Sequence, residues 1–78
     1  MNRFQAMARI MAILSEGGRI RKGSQKYKIA RKLIAAKIDR MGPEAAYSKA
    51  KWNKYELLVE IEELLKAEKA GKILRNYI

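Results

Sequence analysis

The sequence predicts an all-α, mostly helical fold: a compact bundle of three long helices plus one short helix. Three observations lead there. Apolar residues recur at the three-and-four spacing of a helix along most of the chain. Apolar residue types make up 49% of the 78 residues, enough for a core. Helix breakers are scarce, with one proline and five glycines. A chain this short makes one domain, residues 1–78, and buries only roughly 60% of the surface its unfolded form exposes.

The first helix is expected from about Arg3 to Glu16, with Phe4, Met7, Ile10, Met11, Ile13 and Leu14 on one broad face. Asn2 can cap its start, and Gly17-Gly18 offers a left-handed stop. Arg19-Ile20-Arg21-Lys22-Gly23 then forms a short extended stretch or a loop. Ser24 is a credible cap for a second helix from about Gln25 to Met41, closed by Gly42-Pro43. That helix carries two apolar stripes, one of Tyr27, Ala30, Ile34, Ile38 and Met41, the other of Ile29, Leu33 and Ala36. Two stripes need neighbours on two sides, so this is the central helix. Its polar face holds Lys28, Arg31, Lys32, Ala35 and Asp39.

Residues 43–51 suit a short third helix with proline at its first position. Asn53-Lys54-Tyr55-Glu56 has the spacing of a capping box, opening a last helix from about Lys54 to Ala70. Its core stripe would be Leu57, Leu58, Ile61, Leu64 and Leu65, and Gly71 is expected to stop it. The tail that follows is apolar at Ile73, Leu74, Tyr77 and Ile78, and is expected to dock on the core.

Composition narrows the chemistry. Cysteine and histidine are both absent, which removes disulfides, thiolate metal sites and the commonest general base. The spacing of Gly17, Gly18 and Gly23 does not make a phosphate loop. Glu56, Glu60 and Glu63 recur on one face, but nothing completes a ligand sphere around them; they suit a solvated surface or a basic partner. No catalytic pair is arranged, so neither an enzyme nor a metal or other cofactor is expected. Arg9 interrupts the apolar run of the first helix, which argues against a secretory leader. No apolar stretch reaches the roughly 18 residues of a membrane span, and a cytoplasmic location is the default expectation. The first helix could lie on an anionic membrane, but without it the central helix keeps an unmatched stripe.

Charge is the most informative property. The formal net charge is +10, and it is unevenly placed: residues 1–42 hold eleven basic and two acidic side chains, residues 43–78 seven and six. Arg19, Arg21, Lys22, Lys28, Arg31 and Lys32 should share one surface, and Lys49 follows Tyr47 as a further exposed candidate. Such a surface attracts phosphates through counterion release without base contacts. The expected partner is therefore nucleic acid, DNA before RNA, in a transcriptional or DNA-packaging accessory role. The alternative is an interaction module or inhibitor that clasps an acidic protein partner. A homodimer would double the contacts of so small a binder. Tyr27 and Trp52 are expected to complete the core, while Tyr47 is the better candidate for stacking on bases.

The order of elements resembles a winged helix-turn-helix. The first helix ends at Glu16-Gly17-Gly18, Arg19-Ile20-Arg21 follows as a possible strand, and Glu68-Lys69-Ala70-Gly71-Lys72-Ile73 looks like the passage from recognition helix to wing. The resemblance implies DNA binding and a short β element over residues 19–22 and 72–77, although the chain stops before a full wing. Tyr47-Ser48-Lys49 leading through Asn53-Lys54-Tyr55-Glu56-Leu57-Leu58 resembles, over half the chain, the helix-extension-helix class of DNA-binding motifs.

Overall fold

Side-chain caps fix where the first two helices begin, and a glycine closes the second. The computed structural model describes the backbone of residues 1–77 and the side chains of residues 1–70. Four helices follow in order: α1 (Arg3–Ser15), α2 (Gln25–Met41), α3 (Pro43–Trp52) and α4 (Lys54–Tyr77), with a 3-10 turn at Glu16–Gly18. Asn2 and Gln5 form a reciprocal capping box at the head of α1: the Gln5 N–H donates to Asn2 Oδ1 at 2.8 Å, and the Asn2 N–H to Gln5 Oε1 at 3.1 Å. Such a cap contributes about 1 kcal/mol. Gly17 and Gly18 take φ of 75° and 72°, where a Cβ would be strained. At the head of α2, Ser24 Oγ accepts the Tyr27 N–H at 3.1 Å and donates to the Arg21 carbonyl at 2.7 Å. The Gly42 N–H closes α2 on the Ile38 carbonyl at 2.8 Å, and Pro43 opens α3.

The core is one cluster with α2 at its centre, touching α1, α3 and α4. Ile10 and Leu14 of α1, Ile34 of α2, and Leu57 and Ile61 of α4 are its largest fully buried side chains. Burying each contributes about 1.5–3 kcal/mol. Ala6, Ala46 and Ala50 are also buried, and these short side chains let α1 and α3 approach closely.

Several expectations need correction. No strand forms among the described residues: 19–22 are bends and a turn, and 72–77 continue α4. Ile20 is buried at 4% exposure and anchors the connection as a single side chain, with no neighbouring strand to pair it. The winged-helix β element is therefore not formed. Gly71 does not stop α4, because one glycine costs a helix about 1 kcal/mol and ends it only when the left-handed turn also forms. The expected docking of Ile73, Leu74, Tyr77 and Ile78 lies outside the residues whose side chains are described. Phe4 is 84% exposed, because it points away from the side of α1 on which Ala6 and Ile10 are buried. Trp52, at the end of α3, is 78% exposed and does not complete the core, whereas Tyr27 packs against it as expected.

Candidate nucleic-acid interface

The central helix sorts its cations onto two faces. Lys26 and Lys37 are eleven residues apart, three full turns, so they project the same way. That way is toward α4, where Lys26 pairs with Glu62 and Lys37 with Glu60, the latter at 3.3 Å. Lys37 is the one buried charged residue among those described. The hydrogen bond from Lys26, and then its charge, hold the Glu62 carboxyl below the ordinary glutamate range. Lys28, Arg31 and Lys32 project from a different face, at whose margin Lys28 and Lys32 share a depression with Glu68 of α4. All three are exposed, and none enters an ion pair among the described residues.

Three overlapping surface depressions join these cations to the loop before them. The first brings Lys22 beside Arg31, the second Arg31 beside Lys32, and the third Lys32 beside Lys28. Four of the seven predicted residues thus make one continuous basic strip. Arg3, outside the set predicted from sequence, lines the second depression and pairs with Asp39 at 3.0 Å. Glu68 marks the strip's acidic end, where it shares the third depression with Lys28 and accepts a hydrogen bond from Gln25 at 3.1 Å.

The other three predicted residues go elsewhere or stay unjoined. The Arg19 guanidinium lies over the Tyr55 ring at 5.7 Å from its centroid, and lines a separate depression with Glu62 and Glu63 of α4. Arg19 therefore belongs to a depression of mixed charge, where Lys26 and Lys66 stand beside the two glutamates. Arg21 is exposed, and its carbonyl is engaged by Ser24. Lys49 is half-buried on α3 and lines none of the three depressions of the strip. Tyr47 is packed against the core with Arg9 over its ring at 5.9 Å, so it is not the free stacking surface expected of it. Phe4, Trp52 and Tyr55 are the exposed rings instead.

Arg3 was discoverable in principle, since helical spacing sets it within the apolar face of α1, in line with Ile10 and Leu14 and one turn before Ala6 and Met7, where a charged side chain stands out. Arg19 was not, because only the burial of Ile20 and the placement of α4 decide where it points. No helix among the described residues is long and apolar enough to cross a membrane. No protein-family model, curated protein or solved structure matches the chain.

Proposed function

We propose that the protein binds nucleic acid through phosphate contacts from Lys22, Lys28, Arg31 and Lys32, as an accessory factor in transcription or DNA packaging. One observation carries the reading. On a single helix, Lys26 and Lys37 are neutralised by glutamates of α4, while Lys28, Arg31 and Lys32 enter no ion pair among the described residues and run into one strip with Glu68 at its end. Acids intersperse an ordinary solvated face, and their scarcity here leaves a field that condensed phosphate charge would satisfy. Duplex DNA comes before RNA single strands because duplex packs one charge per about 1.7 Å of axis, twice the density of one strand. Arg19 is left out of the contact set, since it stacks on Tyr55. Arg21 and Lys49 remain secondary candidates.

A salt series tests the reading. Four phosphate contacts give a slope of log affinity against log salt of about −3.6 on duplex DNA. Changing Lys28, Arg31 and Lys32 together to alanine should make the slope shallower by up to about 2.7 and weaken unrelated sequences equally. Glu56→Ala with Glu63→Ala, two exposed carboxylates outside every observed ion pair, should preserve or modestly strengthen binding. Absence of binding to duplex DNA and to RNA at about 50 mM salt, where electrostatic binding is strong, overturns the proposal.

A further inference from the structure

The first two depressions of the basic strip are lined by apolar side chains that phosphate contacts leave unused, and together they form a trough. Phe4, Ala8, Met11 and Ser15 line it from α1. They stand at i, i+4, i+7 and i+11, one stripe about 17 Å long. Tyr27 and the buried Ile20 face them across the hollow, which measures about 700 Å³. It adjoins a second hollow of about 440 Å³ through the shared residues Phe4, Met7 and Arg31. Every charged residue lining the two is a cation: Arg3, Lys22, Arg31 and Lys32. The most exposed large apolar side chain described, Phe4, sits where the hollows meet.

We propose that this trough docks an acidic amphipathic helix of a partner protein. A helix lays its apolar stripe into a groove between two others, anchored at the same i, i+4, i+7 spacing that α1 presents. Carboxylates flanking that stripe would meet the cationic rims, which no acid among the described residues occupies beyond Asp39 on Arg3. The chain's own end has the wrong sign, since residues 71–78 carry Lys72 and Arg75 and no acidic side chain. A second copy is disfavoured because each chain brings a formal charge of +10. This docking does not depend on the nucleic-acid reading. It shares Lys22, Arg31 and Lys32 with that reading, so the two partners would exclude each other.

The probe is a synthetic helix of about 14 residues, lactam-constrained because free peptides of this length are marginal helices. It carries leucine at i, i+4, i+7 and i+11, one lysine whose amine is joined as the lactam to the glutamate four residues away, glutamate elsewhere, and a fluorescent label. Its control has the same composition with the leucines scattered around the helix. Anisotropy at about 150 mM salt, where exposed charges are screened beyond roughly 8 Å, should show the striped peptide binding at least about tenfold tighter than the control. Phe4→Ser, at a position too exposed to hold the fold, should remove at least about tenfold of that affinity. Arg31→Ala with Lys32→Ala should weaken it severalfold. Equal binding of the two peptides would reduce the attraction to charge alone and overturn the proposal. So would a Phe4→Ser variant that binds the striped peptide like the wild type. Loss of binding to anionic vesicles in Phe4→Ser, with no peptide bound by either protein, would assign the trough to a lipid surface instead.

Discussion

Replacing Glu60 by glutamine should destabilise the protein more than removing the charge it partners. The Lys37 ammonium lies 3.3 Å from Glu60 Oε2; its side chain is 6% exposed, that of Glu60 41%. Breaking a fully buried pair costs about 3–5 kcal/mol, whereas an exposed pair contributes about 0–1. Here one partner is buried and the other half in water, so solvent screens part of the loss and about 1–2 kcal/mol remains. For a domain of this size that lowers Tm by roughly 4–16 °C. Lys37→Met keeps the aliphatic stem packed and removes the charge, and should cost less than about 1 kcal/mol or stabilise the protein. The double variant should melt with Lys37→Met, because glutamine then faces no stranded ammonium. Far-UV circular dichroism melts of the four proteins complete the cycle. Two results refute the reasoning: Glu60→Gln melting with the wild type, or Lys37→Met melting below Glu60→Gln.

Two further outcomes follow from single residues. The Glu62 carboxyl is held low by Lys26, so the folded state favours its ionised form. The pair's stabilisation is complete above the ordinary glutamate range, near about 4.3, and is lost as pH falls through the lower folded value. Urea midpoints of the wild type and Glu62→Gln should therefore differ at neutral pH and converge in acid; a gap unchanged by pH would contradict the pairing. Trp52 is largely solvent-exposed, so its fluorescence should already resemble that of hydrated indole and shift little on unfolding, and Trp52→Ala should alter stability by no more than about 0.5 kcal/mol. A blue-shifted native emission would place the ring in a core after all.

What the sequence disclosed was local. Asn2, Ser24 and Gly42-Pro43 satisfy or end helices by contacts within a few residues, and the structure places the helix ends at them. The twin stripes of α2 also announced a helix packed on two sides. What escaped was set at a distance. The apolar arc of α1 is wider than the core can cover, and periodicity alone could not say that Phe4 would be the residue left outside. Lys26 and Lys37 read as two more cations until α4 sets Glu62 and Glu60 against them. Arg19 seemed part of the basic surface until Ile20 and Tyr55 drew it away. Gly71 carried a stop signal that its neighbours did not complete.

The two-faced character of α2 also separates the lysines by chemical reach. Acylation needs an approachable amine, and Lys28 and Lys32 offer theirs to solvent while Lys37 is enclosed and Lys26 is three-quarters covered. An acyl group on either exposed lysine would erase a surface charge and leave the packing of α2 on α4 untouched. The same group at Lys37 would need the bundle opened first. One helix thus holds two populations of the same side chain, one open to chemical revision in the folded protein and one sealed when the chain folds.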